Sequence, residues 1–104
     1  MIKVRLTAAA MAGLVAFCLA GTAQAAEPTL ARNLAANCTS CHGFNGASAG
    51  GMPSLEGQPL PVLLTAMRAF RDGTRPATVM HQLARGYTDQ QLEALAAFFA
   101  SQPR

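Results

Sequence analysis

Residues 35–51 read AANCTSCHGFNGASAGG, and the pentapeptide Cys38-Thr39-Ser40-Cys41-His42 at their centre decides how the rest of the chain is read. Two cysteines three apart, with a histidine directly after the second, suit three chemistries: thiol redox exchange, a zinc site, or a covalently tethered haem. A redox dithiol belongs in a strand-then-helix context, and this chain has no run that alternates apolar and polar residues. Zinc wants four donors. Cys38, Cys41, His42 and His81 make a permitted set, but adjacent Cys41 and His42 are awkward donors for one tetrahedron and no second paired motif exists. The haem reading uses every residue. Positions three apart share a helix face, so Cys38 and Cys41 can each add to one vinyl group of a single porphyrin, and His42 follows as an iron ligand. C-x-x-C-H is the attachment pattern of c-type haem.

The front of the chain suits that chemistry. MIKVRLTAAAMAGLVAFCLAGTAQA, residues 1–25, carries Lys3 and Arg5, then small and apolar residues, then Ala23-Gln24-Ala25. This is the layout of a cleaved secretory signal. The apolar run from Leu6 to Gly21 is broken by Thr7 and Gly13 and is short for a bilayer core of ~30 Å, so no stable membrane span is expected after cleavage. Cys18 falls inside the signal, and the bulky Phe17 before it argues against lipoprotein cleavage there. The expected domains are a signal peptide, 1–25, and a mature domain, 26–104, exported to the periplasm. With Lys3 and Arg5 gone from the eight basic residues, six arginines face five acids, a net charge of +1. Nothing in that balance suggests a nucleic-acid partner. A domain this small buries little apolar surface and calls for a cofactor or staple. A bridge between Cys38 and Cys41 would close too short a loop to provide one.

Helix signals recur along the mature chain. A first helix opens near Pro28 or Thr29, carries Leu30, Ala31, Leu34 and Ala35 at helical spacing, and runs into Cys38. GFNGASAGGMPSLEGQP, residues 43–59, holds five glycines and two prolines and reads as a long loop wrapped around something. LPVLLTAMRAFRDG reads as a second helix, with Leu63, Met67 and Phe70 on one face and a stop at Gly73. A short helix is expected from Thr78 to Arg85. The last helix opens on a capping box, Thr88-Asp89-Gln90-Gln91, and carries Leu92, Leu95, Ala96 and Phe99 on one stripe with Phe98 beside it. The expectation is a small all-α domain of about four helices with a cofactor at its centre.

His42 supplies one axial ligand, and Met52, Met67, Met80 and His81 are the candidates for the other. Met67 sits on an apolar stripe and reads as packing. Met80 has enough chain behind it to reach the opposite face and is favoured. Met52, His81 and a five-coordinate iron stay open. A thioether opposite His42 favours reduced iron and raises the potential, which suits electron transfer. An open or labile site would instead suit ligand binding or a peroxidase-like activity. No acid–base or nucleophilic constellation marks the chain as an enzyme.

Cys38-Thr39-Ser40-Cys41-His42-Gly43, Pro53-Ser54-Leu55-Glu56-Gly57, Met80 and the amphipathic last helix resemble the class I cytochromes c, over nearly all of the mature chain. CTSCHGFNGASAGGMPSLEGQ and AFRDGTRPATVMHQLARGYTDQQLEALAAFFA are similar to the cytochrome subunit of flavocytochrome c sulfide dehydrogenases and to related di-haem cytochromes. This chain has one such module. The resemblance implies a mono-haem domain with one covalently bound haem c. It implies Met80 as the second axial ligand, and the Pro53 carbonyl as acceptor of the second imidazole hydrogen bond of His42. First and last helices would cross through Ala31 and Leu34 against Leu95 and Phe98 or Phe99. Arg75, Arg71 and Tyr87 are the candidate propionate partners, a solvated surface position being more expected for Arg71 than for Arg75. The implied role is a one-electron carrier between a flavoprotein dehydrogenase subunit and a downstream cytochrome or oxidase. Two propionates would bring the net charge close to zero, so docking would rest on an apolar rim near the glycine-rich loop.

Overall fold

The computed structural model describes residues 28–104, so the expected signal peptide lies outside the described residues. Four helices follow in order: α1 (Pro28–His42), α2 (Leu60–Asp72), α3 (Met80–Ala84) and α4 (Asp89–Ala100). A short 3₁₀ turn, Phe44–Gly46, follows α1, and no strand occurs among the described residues. Helix α1 packs on α4, and α2 packs on both α3 and α4.

The ends of the helices have local causes. Pro28 opens α1 at a position whose N–H would be unpaired in any case. The helix runs past Cys38 to His42, so the whole pentapeptide is helical. Gly73 closes α2 in the left-handed conformation, φ 77°, with its N–H turned back on the carbonyls of Ala69 and Phe70. Thr88 caps α4 with a reciprocal pair: its Oγ1 accepts from the Gln91 N–H at 3.2 Å, and its own N–H donates to Gln91 Oε1 at 2.9 Å. Helix α3 is shorter than the sequence suggests. Val79, at φ −134° and ψ −31°, precedes it outside helical geometry, and no side chain caps it.

Ala35, Leu63, Leu92, Leu95, Ala96 and Phe99 form the buried cluster, with Leu34, Met67 and Phe98 packed against it. The crossing of first and last helices is therefore centred on Ala35, 1% exposed, and not on Ala31. Ala31 stands a full turn nearer the N-terminus and remains half-buried outside the cluster. Phe98 and Phe99 meet edge to face, ring centroids 5.2 Å apart. On the outer surface α2 and α4 are joined by ion pairs, Arg68 to Glu93 at 3.1 Å and Arg71 to Asp89 at 2.8 Å. The hydrogen bond from Arg71 holds the Asp89 carboxyl below the usual carboxylate range. These exposed pairs add little stability.

The long loop is closed on itself at one point and tied to α4 at another. Its Gly46 carbonyl accepts from the Leu55 N–H at 2.8 Å, and the Gly57 N–H donates to the Phe99 carbonyl at 2.9 Å. Gly46 stands at φ 85°, and a Cβ there would lie 2.8 Å from Phe99 Cδ1 and 3.0 Å from the Glu56 nitrogen. Strain and overpacking together predict that Gly46→Ala destabilises the domain by about 1–3 kcal/mol. Thermal unfolding should fall by roughly 4–8 °C per kcal/mol in a domain of this size. An unchanged midpoint would mean that the loop crossing relaxes freely.

Candidate haem site

Between the end of α1, the long loop and helices α2 to α4 lies a cavity of about 460 Å³, within the roughly 300–1,000 Å³ range of small-molecule and cofactor sites. Its wall is largely apolar. From α2 come Leu63, Met67 and Phe70, and from α4 come Leu95, Ala96 and Phe99. The face of α2 that reads in sequence as pure packing thus divides between core and cavity: Met67 touches the core cluster and also lines the cavity. Val62, Val79 and Leu83, all substantially exposed, complete the wall. Sequence reasoning missed these three, and their one signal was apolar residues beside turns.

Cys38, Cys41 and His42 line this cavity together. Cys38 is half-buried and Cys41 exposed. Burial, and secondarily the neighbouring Cys41, pushes the Cys38 thiol up. A redox dithiol requires the opposite shift, toward thiolate, and the pair lies near the C-terminal end of its helix. Zinc fares no better. No group of three or more His, Cys, Asp or Glu among the described residues could hold a metal ion.

His42 is buried, 8% exposed, and its Nδ1 lies 2.6 Å from the Pro53 carbonyl oxygen. A carbonyl can only accept, so Nδ1 carries a proton, and in the neutral ring Nε2 is the nitrogen with the lone pair. That contact fixes the tautomer and ring orientation, the arrangement found in ligating histidines whose second nitrogen is anchored. Helix α1 positions the ring. The Gly43 N–H donates to the Thr39 carbonyl at 2.9 Å, and Gly43, at φ 85°, turns the chain away directly after His42.

Met52, Met67 and Met80 all line the cavity, whereas His81 does not. Consecutive helical residues point about 100° apart, so Met80 at the start of α3 leaves its neighbour turned elsewhere, with His81 Nδ1 buried and without a hydrogen-bond partner. Arg75 also lines the cavity, the only arginine there among the described residues, with its guanidinium 4.8 Å from the centroid of the Phe70 ring. Tyr87 is not part of the wall. Its hydroxyl donates to the Leu34 carbonyl at 3.5 Å and accepts from Asn37 Nδ2 at 3.4 Å. The turn ending α3, with the Tyr87 N–H on the Ala84 carbonyl, carries the ring to α1 instead. Arg71 lies on the outer surface with Asp89.

The donor set fits a covalent haem. Two thiols share a helix face at the cavity, one imidazole is oriented with a free nitrogen, thioethers stand in the wall, and one cation is available for acidic side groups. The cytochrome c family profile matches residues 29–103. The cytochrome subunit of sulfide dehydrogenase from Chlorobaculum tepidum is 35% identical over 68 residues, 65% of this chain and 62% of that protein. A thiosulfate dehydrogenase electron acceptor from Thiomonas intermedia is 38% identical over 68 residues, 64% of this chain but 31% of its own length. Cytochrome c-554(548) from Halomonas halodenitrificans is 33% identical over 87 residues, 80% of this chain and 99% of that protein. The chain thus spans less than two thirds of the first two relatives and nearly all of the third. It belongs to the cytochrome c family of electron-transfer proteins, and its prosthetic group is one covalently bound haem c.

Proposed function

We propose that the chain is a periplasmic one-electron carrier that takes electrons from a dehydrogenase. Cys38 and Cys41 would hold the haem through thioethers, and His42 and Met80 would bind its iron. The observation that carries this reading is the buried His42 ring, oriented by its 2.6 Å contact with Pro53 toward a cavity that Met80 also lines. When bound, the haem supplies reversible exchange of one electron at iron. The chain's residues set the conditions for that exchange. The Pro53 carbonyl keeps His42 in one tautomer. A methionine thioether favours the reduced state. The apolar wall keeps water from the iron, and Arg75 offsets a propionate charge.

The donor reading follows from the relatives named for sulfide dehydrogenase and for thiosulfate dehydrogenase. A flavoprotein subunit is the proposed donor, with a further cytochrome or an oxidase as acceptor. Residues 1–25 act as the export signal and 26–104 as the mono-haem domain. No helix among the described residues is long and apolar enough to cross a membrane.

Spectroelectrochemical titration of the exported holoprotein tests the proposal. A single one-electron transition and a ferrous form that ignores carbon monoxide are expected. Prompt carbon monoxide binding would overturn the carrier reading in favour of an open iron site.

A further inference from the structure

The carbonyl that orients His42 belongs to a residue with few anchors of its own. Pro53 is exposed and has no N–H to donate. The chain before it offers little support. A Cβ at Gly50 or Gly51 would meet nothing within 4 Å, and the Gly50 N–H makes a 3.4 Å bond to Ser48 Oγ that stays within the loop tip. The fixing contacts lie on the other side, at Ser54. The Ser48 N–H donates to Ser54 Oγ at 3.1 Å, and Gln58 Nε2 donates to the Ser54 carbonyl. A carbonyl can only accept, so the amide nitrogen of Gln58 is the atom that faces it. The base of the Gln58 arm is itself held, because the Gly57 N–H before it donates to the Phe99 carbonyl of α4 at 2.9 Å. Ser54 is thus gripped at its hydroxyl and at its carbonyl. The proline ring fixes φ of Pro53. The peptide plane that carries the Pro53 carbonyl then turns only through ψ of Pro53 and φ of Ser54. The bond from the Leu55 N–H to the Gly46 carbonyl would form with any side chain. The grip on Ser54 needs two particular ones.

We propose that Ser54 and Gln58 are positioning residues that set the hydrogen bond between His42 Nδ1 and the Pro53 carbonyl, and through it the electron donation of the opposite nitrogen to iron. This rests on the reading of His42 as ligand. A carbonyl accepting at 2.6 Å makes the imidazole a stronger donor, and a stronger donor favours ferric over ferrous iron. Loosening the grip lets the carbonyl drift, weakens the bond and raises the potential. The two residues differ in one useful respect. Gln58 is half-buried and lines the cavity, whereas Ser54 is exposed and lies outside its wall. Ser54 therefore acts on the site only through the peptide it shares with Pro53.

Potentiometry and proton NMR of the ferrous holoprotein test this with three variants. Ser54→Ala removes the hydroxyl at an exposed position, and Gln58→Met keeps the length of the arm but loses the donor. Both should raise the potential, by up to about tenfold in the ratio of reduced to oxidised protein, ~59 mV for one electron. In both, the His42 Nδ1 proton should move upfield and exchange faster with solvent. Ser54→Thr keeps the hydroxyl and should restore the native values. A merely structural role would lower the unfolding midpoint and leave potential and Nδ1 proton in place, which overturns the proposal. A potential that responds to Gln58→Met and not to Ser54→Ala also overturns it, since Gln58 would then act directly from the cavity wall. Native ferrous protein without His42 ring signals displaced by the porphyrin ring current would overturn the ligand reading, and this proposal with it. Displaced signals that ignore both variants would overturn the proposal alone.

Discussion

A chain with both Cys38 and Cys41 replaced by alanine is expected to leave a haem-maturing host without covalent haem and without a cooperatively folded domain. The buried cluster contains six side chains, two of them alanines, and Leu92 is its largest fully buried member. Beside it lies a cavity of about 460 Å³. At the ~24 cal/mol per Å³ measured for unfilled core cavities, emptying it costs up to about 11 kcal/mol. That is an upper bound, because this cavity opens to water. It still matches the ~5–15 kcal/mol that holds a whole domain together. On this reading haem would be structural as well as functional here, with its binding linked to folding. Each single variant, Cys38→Ala or Cys41→Ala, keeps one thioether and should retain haem with a lower unfolding midpoint. Haem staining after denaturing electrophoresis and far-ultraviolet circular dichroism read both effects. A double variant that is helical and melts cooperatively without haem would show that the helices need no prosthetic group.

Met80→Ala is expected to lower the reduction potential by on the order of 0.1–0.3 V, part of the ~0.8 V range that axial ligands span. Loss of the soft thioether removes its preference for reduced iron, and the ferric spectrum should lose its methionine-specific feature. The neighbouring positions supply the controls. His81→Ala should leave potential and spectrum nearly unchanged, because His81 does not line the cavity. Met52→Ala and Met67→Ala are the sharper comparison, since both residues do. If Met52→Ala produced the drop and Met80→Ala did not, the second ligand would lie in the glycine-rich loop.

Features with local causes were legible from the residues alone. The Thr88 capping box and the Gly73 stop involve atoms within one turn of each other, and both appear where the sequence places them. The contact between His42 and Pro53 is of another kind. It spans 11 positions and was implied only by resemblance to a family. No spacing rule brings a proline carbonyl under an imidazole. Errors arose where a residue's surroundings come from distant elements. Ala31 and Ala35 lie on neighbouring turns of one helix, and only the approach of α4 makes Ala35 the crossing point. Tyr87 looked available to a cofactor because sequence records its hydroxyl and not its direction, which the end of α3 turns toward Leu34 and Asn37.

By itself, the sequence determined the helical class, set the proposed covalent anchor, Cys38 and Cys41, and the proposed ligand His42 along one helix, and pointed to the need for something at the centre. Each of these rests on spacing along one helix or on the small supply of apolar residues. Only the tertiary structure decided which side chains share the cavity. It separated Met80 from His81, put Arg75 in the wall and Tyr87 outside it, and left Phe44 in solvent. The reason is physical: periodicity tells which residues share a face, while the packing of one helix against another decides what that face meets.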